Sequence, residues 1–304
     1  MNFEDLPVVD PRVAQVPFGS METVTEIGPN AIRIVAPNAS PMTLDGTNTY
    51  LLVGDKLSTF IVDPGPSTLE HLLEVKGVIE KKGLDPRGIL LTHGHFDHSE
   101  ATKAFGLEFE VPVYGNGHLD DLEMIHLSDN DSIELDSSKV IALGTPGHTG
   151  DHLCFLLPDG ELLTGDHILG RGTSVVAAPD GDLESYIGSL IKVYDLDRRH
   201  LLPGHGPDLT SEISKEVVGY YLSHRMLRLK QVLFSFDENP KDVKDVVRGI
   251  YGDSVPESLF FAAELSTRAS VVALLEGGHL RAVGSGGYIR NEASDFDMTL
   301  FLKG

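Results

Sequence analysis

Cysteine, positive charge and long apolar runs are all scarce in this chain of 304 residues, and each scarcity removes a class of explanation. The single cysteine, Cys154, excludes an internal disulfide; within the strand-like run His152-Leu153-Cys154-Phe155-Leu156-Leu157 it reads as buried and inert. Lys and Arg number 24 against 46 Asp and Glu, a net charge of −22. So acidic a surface repels polyphosphate at long range, whereas nucleic-acid binding rests on basic stripes that release counterions, so a nucleic-acid partner is disfavoured. A local basic patch would escape that average, because salt screens charge beyond about 8 to 10 Å. The start, Met1-Asn2-Phe3-Glu4-Asp5-Leu6-Pro7, has no basic stretch and no long apolar run, so no signal peptide, membrane span or membrane partner is expected and a cytoplasmic location is. No repeat or low-complexity segment is present. With 41% hydrophobic residues there is ample material for a core, and the length favours one large domain with a smaller appendage.

What the chain does have is histidine in dense clusters. Thr92-His93-Gly94-His95-Phe96-Asp97-His98 follows the apolar run Gly88-Ile89-Leu90-Leu91, so a buried strand ends in a Gly-containing turn that can aim several side chains at one point. Imidazole and carboxylate in that density suit Zn²⁺ and similar divalent ions. The pattern recurs. His148 follows Val140-Ile141-Ala142-Leu143, Asp166 follows Leu162-Leu163-Thr164-Gly165, and His205 follows Leu201-Leu202-Pro203-Gly204. A catalytic metal needs three protein ligands and a water. Five histidines and two aspartates at four strand-to-loop junctions are enough for two ions.

In order from Asp63 to His205, these segments resemble the five motifs of the metallo-β-lactamase-fold hydrolases, over roughly residues 20 to 210. The resemblance implies an α/β fold, a four-layer αββα sandwich, with His93, His95 and His148 on a first metal. Asp97, His98 and His205 would hold a second metal, with Asp166 bridging and Asp63 supporting the histidine loop. Departures narrow the branch. Asp166 stands where one antibiotic-hydrolysing branch has a cysteine ligand, and His95 stands where the flavin-linked di-iron branch has glutamate. Only 39 positions (205 − 166) separate Asp166 from His205, too few for the insertion of the nuclease branch. Thioesterase-like (hydroxyacylglutathione-hydrolase-like) and lactonase-like branches remain. Leu44-Asp45-Gly46-Thr47-Asn48-Thr49-Tyr50-Leu51-Leu52 and Tyr221-Leu222-Ser223-His224-Arg225-Met226-Leu227-Arg228 are similar to a lactamase-like subfamily of mitochondrial endoribonucleases and polyketide thioesterases. There a small winged-helix-like domain follows the metal domain, and the likeness runs to about residue 284.

The expected layout is therefore a metal-hydrolase domain at 1–210, a connecting helix at 211–238, a winged-helix-like domain at 239–284 and a tail at 285–304. Residues 1–20, with Pro7, Pro11 and Pro17, read as an extended leader. Strands are expected at 31–35, 48–53 and 59–62 as one meander, then at 88–91, 111–114, 139–143, 153–157 and 162–164. Helices are expected at 67–82, capped by Ser67 and ended by Gly83, and at 183–194, 211–236, 243–251 and 259–275. Residues 277–283 turn into a strand, 284–287 read as flexible, and 295–302 as an edge strand or disorder. Acids outnumber bases in the C-terminal module, which favours a lid or homodimerisation over nucleic-acid binding.

Two divalent ions, Zn²⁺ with Mn²⁺ or Fe²⁺ tolerated by the same ligands, would share a water, lower its pKa and yield a bridging hydroxide. Asp97 would steer that hydroxide and carry a proton to the leaving group. The substrate class is a small ester, foremost a thioester of acylglutathione or acyl-carrier type, or a lactone; the alternative is an endoribonuclease acting on single-stranded RNA. Tyr221, His224, Arg225 and Arg228 would face the cleft and clamp an anion. His118, His126, His152, His167 and His200 read as bystanders, with His152 and His167 placed to stand behind the ligands.

Overall fold

The protein, described from a computed structural model over residues 5–12, 16–120, 122–196, 200–252, 257–284 and 286–291, is built on two packed sheets. In the first, β1 (Val24–Ile27), β2 (Ala31–Val35), β3 (Asn48–Val53) and β4 (Ser58–Val62) run antiparallel in series. Helix α1 (Leu69–Lys82) then carries the chain across to β5 (Asp85–Leu90), parallel to β4, and β6 (Val113–Gly115) and β7 (Met124–His126) extend the parallel half. Two short helices, α2 (Phe96–Ser99) and α3 (Thr102–Phe109), lie between β5 and β6. The second sheet repeats this plan. β8 (Ser132–Leu135), β9 (Ser138–Gly144), β10 (Leu153–Leu156) and β11 (Leu162–Gly165) are antiparallel, and α4 (Leu183–Asp195) crosses to β12 (Leu201–Pro203), parallel to β11.

Strand alternation builds the layers. On β3, Tyr50 and Leu52 face Phe155 and Leu163 of the second sheet, while Leu51 turns to Val75 and Ile79 of α1. On β10, Leu153 and Phe155 point inward and Cys154 outward, where it is buried as expected. Helix, sheet, sheet and helix follow one another, the sandwich that the motifs implied.

Behind the second sheet, one continuous core joins Leu162 and Leu201 to Leu190 of α4, Val218 and Leu229 of α5 (Ser211–Ser235), Val246 of α6 (Val243–Tyr251) and Leu274 of α7 (Glu257–Glu276). A ribbon of β13 (Leu280–Val283) and β14 (Gly287–Arg290) follows. Among the described residues no helix is long and apolar enough to cross a membrane.

Several local expectations need correction. Helix α1 is capped by Thr68, whose side chain accepts from His71 N, and not by Ser67; Gly83 ends it in the left-handed region at φ 65° as expected. The segment read as flexible, 284–287, reaches a strand at its last residue, because Gly287 opens β14 and pairs with Val283. The stretch 295–302 lies outside the described residues. The leader is docked: Leu6 is buried in the core behind the second sheet, and buried Arg12 donates to the carbonyls of Leu169 at 2.7 Å and Gly172 at 2.6 Å.

Candidate metal centre

The expected ligands all leave the C-terminal ends of strands at one edge of the sandwich: β5 delivers His93 to His98, β9 His148, β11 Asp166 and β12 His205. At the end of β4, Asp63 sits at φ 50° and ties the first of these loops down. Its Oδ1 accepts from Thr92 N at 2.8 Å, and its Oδ2 from Thr92 Oγ1 at 2.7 Å and His98 Nδ1 at 2.8 Å. Having donated to Asp63, the Thr92 hydroxyl accepts from His93 Nδ1 at 3.0 Å. Both imidazoles therefore carry hydrogen on Nδ1 and present Nε2 inward. His148 and His205 are fixed in the same sense, donating from Nδ1 to the carbonyls of Val175 at 2.6 Å and Gly46 at 3.2 Å. His95 is turned the other way, with Nδ1 3.0 Å from His148 Nε2.

These side chains converge as two groups, His93, His95, His148 and Asp166 in one and Asp97, His98 and His205 in the other, with ligand atoms inside each group within 4.8 Å of one another. Asp166 joins them. Its Oδ2 lies 3.5 Å from His148 Nε2, while its Oδ1 lies 3.3 Å from His98 Nε2 and 3.4 Å from His205 Nε2. Asp97 Oδ2 is 3.1 Å from His205 Nε2. His93 Nε2 and Asp166 Oδ1 are buried with no hydrogen-bond partner. Orphaned polar atoms aimed at one point are costly in a folded protein, and a divalent cation would satisfy them, so the donor set fits such ions. The packing leaves no slack around them. A Cβ on Gly204 would come within 2.7 Å of His98 Cε1 and 2.8 Å of Asp166 Oδ1.

Electrostatics agree with that fit. Burial opposes a charge on His98, yet Asp166 and Asp63 raise its pKa well above the imidazole range. Burial likewise opposes Asp97 as carboxylate, but the His205 hydrogen bond and the charge of His98 hold it at about 2. His93 is pushed well below its ordinary value by burial and by its neighbours His98 and His148. One proton on His98 thus sits in the negative field of three aspartates, a field suited to more positive charge.

The sequence profile of the Metallo-beta-lactamase superfamily matches residues 42–205, from the loop before β3 to the last of these ligands. A Beta-lactamase-like protein 2 homolog of Drosophila melanogaster is 34% identical over 279 residues, covering 85% of this chain and 92% of that protein. The chain belongs to the metallo-β-lactamase superfamily. An Atrochrysone carboxyl ACP thioesterase of Aspergillus chevalieri is 30% identical over 251 residues, 78% of this chain and 77% of its own. Among solved structures, a Beta-lactamase domain protein from Burkholderia ambifaria superposes with TM-score 0.76 at 19% identity, covering 93% of this chain and 97% of that one. Like the superfamily in general, this chain is a metal-dependent hydrolase.

In this metallo-β-lactamase fold the centre opens into a cavity of about 650 Å³. His95, Asp97, His148 and Asp166 form one end, and Tyr251 with Leu259, Ala262 and Ala263 of α6 and α7 forms another wall. Of the four residues expected to face the cleft, His224, Arg225 and Arg228 line it. Tyr221 does not: it is fully buried, and its hydroxyl accepts from Leu169 N at 2.9 Å. Arg225 is also more of a brace than a clamp. It is 5% exposed, its guanidinium is stacked 4.9 Å from the Tyr186 ring centre, and it donates to the carbonyl of Ser174, next to the Val175 carbonyl that orients His148.

His152 stands behind Asp166, accepting from its backbone N at 3.2 Å and bonding Thr145 Oγ1 at 2.9 Å. His167 packs on Tyr186, 5.0 Å between centroids, and His118, His126 and His200 lie outside both ligand groups. Sequence reasoning missed the hands that hold the His205 loop. Asn48 Nδ2 reaches the carbonyls of Pro203 and Gly206, each at 2.8 Å, and Tyr50 Oη donates to Pro203 O at 2.9 Å. The only available signal was the Asn48-Thr49-Tyr50 segment, which carried a resemblance but no mechanism.

Proposed function

We propose that this chain holds two divalent ions, His93, His95 and His148 on one, Asp97, His98 and His205 on the other and Asp166 between them, and that it hydrolyses thioester or related ester bonds in small acyl compounds. One observation carries the reading: the two oxygens of Asp166 are divided between two nitrogen-rich groups at the end of a cavity of about 650 Å³. A cavity of that size takes a small molecule. Its apolar α7 wall suits an acyl chain, and the relative named as an acyl-carrier thioesterase supports the choice of bond.

When bound, such ions lower the pKa of a coordinated water toward neutrality and polarise a carbonyl oxygen. The protein's own part is orientation and proton handling. Asp63, through Thr92, fixes the tautomers of His93 and His98. Asp97 faces the cavity with Oδ2 engaged by His205, which leaves Oδ1 to take a proton from attacking water and return it to the leaving group. Arg225 steadies the Ser174-Val175 segment on which His148 depends. Zinc suits these ligands, and Mn²⁺ or Fe²⁺ are tolerated by the same donors.

The test is elemental analysis of the purified protein, then incubation of metal-replete enzyme with a panel of acyl thioesters, lactones and unstructured RNA. Two metal equivalents and thioester cleavage abolished by chelation are expected. RNA cleavage with every ester untouched would replace the reading with the endoribonuclease one.

A further inference from the structure

Three arginines line the cavity, and two are already engaged. Arg225 is bonded to Ser174 and stacked on Tyr186; Arg171 shares Asp45 at 3.4 Å and donates to Pro17 O at 3.1 Å. Arg228 differs. Its guanidinium lies 4.4 Å over the Tyr251 ring, Nη1 donates to Gln231 Oε1 at 2.8 Å, and its buried Nε has no hydrogen-bond partner. Among the residues whose side chains are described, Arg228 forms no ion pair with a carboxylate. Asp180, on the same cavity wall, faces the backbone N of Gly150 instead.

Leaving a partly buried guanidinium without counter-charge is expensive. In a chain with 46 acidic and 24 basic residues, a neighbouring acid would be the easiest remedy to supply. Arg228 instead faces a cavity with its Nε unpartnered, beside His224, whose Nδ1 is also buried without a partner. The planar fork of arginine matches carboxylate or phosphate oxygens two at a time.

We propose that Arg228 binds an anionic group, carboxylate or phosphate, on the part of the substrate that does not react, so that the enzyme selects acyl esters and thioesters charged at a distance from the scissile bond. This rests on the hydrolase reading above and adds the substrate's second recognition point. The charge can sit on the acyl side or on the thiol side, and Arg228 would read either.

Two matched substrate pairs test it with the metal-replete full chain: glutaryl against valeryl thioesters of N-acetylcysteamine, and acetyl thioesters of 4′-phosphopantetheine against pantetheine. The ratio of kcat/KM, charged over neutral, should exceed one in at least one pair and fall on the order of 10- to 100-fold in Arg228→Met. Arg228→Lys should recover part of it, and serves alone if the methionine variant fails to fold. The pair that responds tells a carboxylate from a phosphate. Equal ratios in wild type and variants would overturn the proposal. A readout free of turnover is the melting temperature with millimolar glutarate or inorganic phosphate. A rise in wild type that the variants lose supports an anion site, and identical shifts count against it. If no thioester is cleaved at all, the thioesterase reading fails, and the melting shifts still decide the role of Arg228.

Discussion

Asn48 and His205 are coupled through the main chain: one amide nitrogen of Asn48 bonds the carbonyls of Pro203 and Gly206, on either side of the histidine, at 2.8 Å each. The side chain acts as a staple across the loop that positions a ligand of the second group. Asn48→Ala should therefore weaken binding of one metal equivalent by about 10- to 100-fold while leaving the other nearly intact. Stepwise removal by a chelator, followed by elemental analysis, would show it; loss of both equivalents in parallel, as in wild type, would argue against the staple.

Asp97 is the ligand closest to solvent in its group, with a side chain 32% exposed against 0% and 1% for His98 and His205. Asp97→Ala should lower kcat on the order of 10²- to 10⁴-fold with KM changed only a few-fold, measured with metal saturating both proteins. An unchanged turnover number would remove Asp97 from proton transfer.

Asp63 accepts three hydrogen bonds with two oxygens and does so from φ 50°, a backbone region that asparagine tolerates. Asp63→Asn keeps the shape but points an N–H at a donor. Metal affinity should drop by roughly 10- to 100-fold, and unfolding in urea should show a loss of about 1 to 3 kcal/mol. If the asparagine variant binds metal as tightly as wild type, the tautomer-fixing role falls.

His71 offers a pH handle. Its Nε2 lies 2.8 Å from Thr49 Oγ1, which itself donates to the Asp63 carbonyl, so the imidazole must donate. Burial lowers its pKa to about 4. In the unfolded chain it titrates near ~6.5, so between those values the unfolded state takes a proton that the folded state refuses. The stability due to neutral His71 is complete above about pH 6.5 and is lost as pH falls toward 4, on the order of 3 kcal/mol in all. His71→Gln should flatten the wild-type decline in urea midpoint over that window. Other buried histidines titrate in both proteins and cancel in the difference; parallel curves would exclude the linkage.

The seven candidate ligands were legible because each follows an apolar strand through a Gly-containing turn, a local pattern. Their supports were not, because Asn48 and Pro203 are 155 positions apart and meet only in the fold. Arg225 and Arg228 look alike on a helical face; only the Ser174 carbonyl and the Tyr186 ring mark Arg225 as the brace. Helix α3 escaped notice for a related reason: Ala101 makes no side-chain cap bond and Glu110 ends the helix in the left-handed region, so neither boundary carries its usual residue. Strand β14 hid in a glycine-rich stretch that gains order from its partner β13.

The helices that wall the cavity share their apolar interior with the outer face of the ligand-bearing second sheet, without a seam between them. Substrate preference in such a scaffold cannot be exchanged by transplanting the C-terminal module alone. Any donor module would have to reproduce the surface that meets Leu162 and Leu201, or the strands presenting Asp166 and His205 would shift with it. New specificity is therefore expected to arise by point changes on the inward faces of α5 and α7, with the shared buried core left alone.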